Sequence, residues 1–179
     1  MLLALMGCSG GHFKYSSFHP NFTIDNARHL DQTLNSAMNP TAKGVFCMIT
    51  FRVSAGAKYF VFTNNQGLST QKIFNAVDER LQSQTHLGQN GGLIVGYGNL
   101  SEPAEFYAYD AECPNCFDPS AIPVRSYRLT MDANGLAHCS HCNRQYNMNT
   151  GGNVTNNTGR GLTAYRATTT GPNGILHVY

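Results

Sequence analysis

The sequence has no tryptophan, no run of lysine or arginine, and little charge of either sign: 12 Lys+Arg and 10 Asp+Glu in 179 residues, 12% of the chain. That shortage removes the basic face by which proteins grip nucleic acid, so a nucleic-acid partner is set aside. No apolar stretch approaches the ~20 residues that a membrane-crossing helix needs. Internal repeats and low-complexity tracts are missing too, which excludes solenoids and biased linkers. Neither a general acid and base pair nor a Ser/His/Asp arrangement is legible, and the chain reads more readily as non-catalytic than as an enzyme.

What is present is 41% apolar content with 18 glycines and 9 tyrosines. That much apolar material buries a domain-sized core without external staples, and the Gly, Asn, Thr and Tyr bias describes a turn-rich all-β protein of stacked antiparallel sheets. "VFCMITFRV" alternates with period two, which predicts a strand with Val45, Cys47, Ile49, Phe51 and Val53 facing inward. Lys58 to Thr63 completes a hairpin across "SAGA". Further hairpins are expected from Gly92–Tyr97 with Glu105–Tyr109, from 124–131 with 136–139, and from 162–168 with 175–179. One helix is predicted over 69–84, with Ser69 as N-cap and Ile73, Phe74, Val77 and Leu81 as its buried stripe.

The amino-terminal "MLLALMGCSGG" resembles the end of a bacterial lipoprotein signal peptide, although no Lys or Arg precedes the apolar run. The resemblance implies that residues 1–7 are residual signal, that Cys8 carries the lipid anchor, and that 8–20 form a tether to a domain spanning 21–179. A membrane-anchored lipoprotein of the bacterial envelope, in the outer membrane, is the corresponding expectation; the membrane is then met through that lipid. Nothing in the sequence names a protein partner.

Four of the six cysteines fall in two C-x-x-C pairs, Cys113 with Cys116 and Cys139 with Cys142, twenty-two residues apart. Two residues between thiols let a tight turn aim both sulfurs at one point, and two such turns supply four corners of a tetrahedron. The spacing lies close to the ~15–20 residues usual between the pairs of a closed structural zinc site. Other uses stay open: a [2Fe–2S] cluster or a single iron at the same four positions, structural disulfides, or thiol–disulfide exchange at "CPNC". His138 and His141 flank Cys139 without the better spacing of the thiols. Cys47, remote from the other five, reads as a small buried hydrophobe.

"EFYAYDAECPNC", "GLAHCSHCNRQYNMNTGGNV" and "GLTAYRATTTGPNGILHVY" together are similar to the Rieske iron–sulfur family, and in particular to Rieske-like lipoproteins of Bacteroides relatives. The resemblance covers about 40% of the chain and implies two ligand loops at hairpin tips, an aromatic at Tyr146, a Thr-Gly-Gly turn and a closing strand pair. Rieske clusters take Cys-x-His and Cys-x-x-His. Here Cys113 and Cys139 hold the cysteine places, while Asn115 or Cys116 and Cys142 stand where the histidines belong. Asn143-Arg144 replaces Gly-Ser, and Asn157-Thr158-Gly159 replaces the covering Gly-Pro-Ala. A Rieske-like fold with a zinc-ribbon or rubredoxin-like metal-binding subdomain at about 107–152 follows as the expectation, with zinc as the ion. Tyr107, Tyr109, Tyr127 and Tyr146 are candidates for an aromatic partner-binding face.

Overall fold

A computed structural model describes residues 14–179, so Cys8 and the expected signal segment lie outside the described residues. The described residues form thirteen strands in three antiparallel sheets and three short α-helices.

The central sheet has six strands in the order β11-β6-β5-β2-β3-β4. These are β2 (Phe46–Ser54), β3 (Ala57–Asn64), β4 (Ser69–Ile73), β5 (Gly92–Tyr97), β6 (Phe106–Asp110) and β11 (Ala164–Tyr165). A three-stranded sheet is built from β1 (Phe22–Asp25), β13 (Ile175–Val178) and β12 (Ala167–Thr169), in that order. A four-stranded sheet has the order β10-β9-β8-β7, from β7 (Thr130–Met131), β8 (Leu136–His138), β9 (Gln145–Asn147) and β10 (Asn153–Val154).

Two hydrophobic clusters explain why the middle of the central sheet is apolar on both faces. Cys47, Ile49, Leu93, Val95 and Ala108 point to one core, shared with Phe22, Leu34, Leu176 and Val178. Phe46, Ile94 and Tyr109 point to the other, shared with Ala137, Tyr146 and Met148 of the four-stranded side. Leu93, Ile94 and Val95 are consecutive and all fully buried. Removing such side chains from water is worth roughly 1.5–3 kcal/mol each, so this run is the least replaceable stretch of the sheet. The close packing also requires glycine at Gly96, where an added Cβ would lie 2.3 Å from the Val45 carbonyl oxygen.

The β2–β3 hairpin turns at Ala55 and Gly56, both at positive φ (49° and 78°), with Ser54 opposite Ala57. Positive φ at both central positions matches the right-handed twist of the flanking strands. The inward face expected for β2 is corrected at both ends. Phe46, placed on the outward face, is fully buried, while Val53, placed inward, is 69% exposed. Towards the turn Phe51, Arg52 and Val53 are all exposed, and there strand alternation no longer selects a buried side.

The helix expected over 69–84 is corrected to a strand followed by a shorter helix. Ser69–Ile73 pairs with β3, Ile73 opposite Tyr59, as the edge of the central sheet. The helix is α3 (Ala76–Leu81), and Asn75, not Ser69, caps it: Asn75 Oδ1 accepts from Val77 N at 2.8 Å while Asp78 Oδ2 accepts from Asn75 N at 2.7 Å. Ile73 and Leu81, two members of the expected stripe, are exposed. Two further helices, α1 (Asn26–His29) and α2 (Gln32–Ala37), show that the fold carries more than one helix; α2 covers the first core with Leu34 and Ala37. The strand expected over 162–168 divides at Arg166 into β11 and β12, which join different sheets.

Residues 14–20, the last part of the expected tether, lie against the sheet: Ser16 N–H donates to Ala164 O at 2.9 Å, and the Phe18 ring sits 6.2 Å from Tyr165. Among the described residues no helix is long and apolar enough to cross a membrane.

Candidate metal centre

Both cysteine loops leave strands at the end of the second core. Loop one continues β6: Glu112 bridges Arg128, and Cys113 N–H donates to Tyr127 O at 3.0 Å. The Glu112 carboxylate, 2% exposed, accepts from Asn90 Nδ2 (2.7 Å), Ser126 Oγ (2.6 Å) and Tyr127 N, which fixes the entry to the loop. The chain then folds back on itself, with Cys116 N–H and Phe117 N–H both donating to Cys113 O at 3.1 and 2.9 Å. Pro119 and Pro123 follow, and no helix begins at Cys113 or Cys116. The helix-terminal environment that activates a thiol–disulfide catalyst is therefore lacking at "CPNC".

Loop two is the tip of the β8–β9 hairpin. Cys139 N–H donates to Arg144 O at 3.0 Å and Asn143 N–H to Cys139 O at 2.9 Å. Asn143 closes the turn at φ 58°, a left-handed conformation that asparagine tolerates better than most residues.

The two tips bring Sγ of Cys113, Cys116, Cys139 and Cys142 within 4.8 Å of one another. Cys113 and Cys142 stand 3.7 Å apart and Cys116 and Cys139 3.8 Å apart, so each close pair joins the two loops. Four thiolates at a Zn–S length of about 2.3 Å define a tetrahedron with edges of about 3.8 Å. The sulfur set therefore fits one tetrahedral ion, zinc or iron. A [2Fe–2S] cluster divides four thiolates between two irons, which spreads the pairs further apart than a single tetrahedron does. All four cysteines of this group are free thiols, and so is buried Cys47.

Neighbouring donors are aimed at the sulfurs. The Tyr146 hydroxyl lies 3.1 Å from Cys113 Sγ and 3.0 Å from Asn115 Nδ2. Asn115 has its amide orientation set by a backbone residue on both sides, Nδ2 donating to Arg160 O (2.8 Å) and Oδ1 accepting from Arg160 N (3.0 Å). Because Asn115 donates to the phenol oxygen, the phenol proton is left for Cys113. Burial pushes the Cys113 and Cys116 thiols up. Burial acts the same way on Cys142, but the nearby Arg144 and the neighbouring Cys116 and Cys139 outweigh it and bring that thiol down to about 6. A set holding one readily ionised thiol, with the Tyr146 hydroxyl against another of the sulfurs, suits a dianionic four-thiolate site better than a set of inert buried thiols.

The segment 156–160 crosses both loops. Asn156 accepts from Gln145 N (2.9 Å) and donates to Asn143 O (2.8 Å), Arg144 Nε donates to Thr158 O (2.9 Å), and Arg160 reaches Pro114 O. Side-chain amides and arginines are the fasteners of this strap.

The flanking histidines do not join the sulfurs. His138 Nε2 is 2.9 Å from Asp132 Oδ2, and the His141 ring rests on Tyr127 at 4.7 Å. The aromatic face is corrected: Tyr109 and Tyr146 are fully buried, Tyr109 donating to Met148 O at 2.9 Å, so neither is available to a partner. Sequence reasoning placed all four thiols and named Tyr146, but missed the Asn115–Tyr146–Cys113 chain and the fastening role of Arg144. The position of Tyr146 four residues after Cys142, on the strand leaving the loop, was the available signal.

No protein-family model, no curated protein and no solved structure matches this chain. The mostly β fold of three antiparallel sheets and the four-cysteine group that could bind a metal are what its own geometry establishes.

Proposed function

We propose that this is a non-catalytic protein stabilised by one zinc ion, held by the thiolates of Cys113, Cys116, Cys139 and Cys142. The observation that carries the reading is the spacing of the four sulfurs, two cross-loop pairs at 3.7 and 3.8 Å in a set no wider than 4.8 Å. An ion there supplies folding energy directly, because the unfolded chain does not assemble the site. Elemental analysis of protein purified without added metal tests it: one zinc per chain and no visible absorption are expected, and a metal-free protein with its fold intact overturns it.

A second reading is favoured by the half-exposure of Cys116 and Cys142 together with the Tyr146 donor. A single iron at these positions would be an electron-transfer centre reachable from the surface, and it would colour the protein. The resemblance to Rieske-like lipoproteins extends the proposal to the bacterial envelope, with a lipid on Cys8 as the anchor. Cys8→Ala, expressed with its native upstream sequence, is expected to leave the membrane fraction; retention there would end the lipoprotein reading.

A further inference from the structure

Each close pair of sulfurs joins the two loops and combines one sheltered thiol with one reachable thiol. Cys113, fully buried, stands 3.7 Å from half-exposed Cys142, and Cys139, 3% exposed, stands 3.8 Å from half-exposed Cys116. By such a pairing cysteines answer an oxidant: the reachable sulfur meets it, and the buried neighbour resolves the product before a second oxidant molecule arrives. Cys47 packs in the other core, apart from this group.

We infer that the four-thiol centre is also a peroxide-responsive switch, in which oxidation replaces the ion by two cross-loop disulfides, Cys113 with Cys142 and Cys116 with Cys139. In each pair the exposed thiolate attacks one oxygen of hydrogen peroxide, the O–O bond breaks, and hydroxide leaves with the bonding electrons, giving a sulfenic acid. The buried thiolate then attacks that sulfur; the S–S bond forms as the S–O bond breaks, and a second hydroxide departs. Two peroxides are thus reduced to four hydroxides while four thiolates are oxidised to two disulfides. The anionic donors are gone, and the divalent ion is released. From 3.7 and 3.8 Å each pair has only about 1.7 Å to close before reaching the S–S length of about 2.05 Å. Bridging within a C-x-x-C turn instead closes a small ring, whose strain leaves the bond more readily reduced, so thiol exchange drains it towards the cross-loop pairs. The oxidised centre then joins the same two hairpin tips that the ion joined.

The inference rests on the metal-binding reading, and its test separates the two. Protein of measured zinc content is treated with two equivalents of hydrogen peroxide, and released zinc is followed with a chromophoric chelator. Remaining thiols are alkylated after denaturation, and disulfide-linked peptides are located by fragmentation mass spectrometry without reduction. Loss of the four thiols of the group is expected together with release of one zinc per chain, the linkages being Cys113 with Cys142 and Cys116 with Cys139. Cys47, fully buried, should remain alkylatable. Zinc-loaded protein that links Cys113 to Cys116 or to Cys139 overturns the inference and leaves the metal reading standing. So does zinc-loaded protein that keeps its ion and thiols, or that passes to sulfinic acid at Cys116 and Cys142 with no disulfide formed. Protein that takes up no zinc overturns the metal reading and the release of the ion with it, while its digest still upholds or refutes the two linkages.

Discussion

The phenolic oxygen of Tyr146 stands 3.1 Å from Sγ of Cys113, and it points its proton there because Asn115 already donates to it. Cys113 lies in the first cysteine loop and Tyr146 on β9, thirty-three positions apart, and the bond joins the two within the second core. Tyr146→Phe deletes this donor while keeping the ring. A loss of about 1–2 kcal/mol in unfolding free energy is expected, since Asn115 keeps Arg160 O as a partner, and metal content per chain should not change. Denaturant titration and elemental analysis of the variant check both halves.

Removing a ligand should do more. Cys116→Ser and Cys142→Ser each leave three thiolates, and the apparent zinc energy of roughly 10–16 kcal/mol seen in small zinc peptides no longer supports the fold in full. The two large cores soften the loss, so the variants are expected to fold with melting temperatures lowered by similar amounts. Chelator should lower the wild-type midpoint towards theirs and add little to either variant; an effect of reductant instead would point to disulfides.

The helix cap is separable from the metal. Asn75→Ala removes the acceptor for Val77 N and Asp78 N and is expected to cost about 1 kcal/mol. Zinc per folded chain should stay unchanged, because α3 carries no ligand; loss of zinc from the folded variant would show the site to be elsewhere.

Asp110 gives the pH dependence a sign. Burial raises its carboxyl above the ordinary range, although Gln89 N, Tyr165 Oη and Glu112 N all donate to it. A raised acid keeps its proton in the folded state at pH values where the unfolded chain has released it. The folded state then binds more protons from about pH 4, the usual Asp value, up through the raised one, and stability falls as pH rises across that window. Asp110→Asn places an amide against donors and is expected to be less stable throughout. Its deficit relative to the wild type should be largest near pH 4 and shrink as pH rises, as read from unfolding curves at a series of pH values; a constant deficit would contradict the shift.

Local patterns in the sequence were legible where local chemistry decides them. The β2–β3 and β5–β6 hairpins follow from alternation and turn residues, and the four thiols follow from a spacing that a shared ion demands. Ser69–Ile73 was misread because an edge strand with alternating burial contains Ser69 and Ile73 at positions a helix would also accept, while the true N-cap signal, Asn75 with Asp78, lay six residues on. The pairing of Phe22–Asp25 with Ile175–Val178 joins the two ends of the described chain, and nothing local announces it. The same holds for the strap: Asn156 and Arg160 reach the cysteine loops only because the three sheets bring them there.

The central claim is one ion surrounded by four sulfurs, and X-ray absorption at the metal edge counts those neighbours directly. On protein loaded with a single equivalent of zinc, one shell of four sulfurs at about 2.3 Å with no second metal nearby is the expected result. Nitrogen or oxygen in that shell, fewer than four sulfurs, or a short metal–metal vector in the protein as isolated would contradict it.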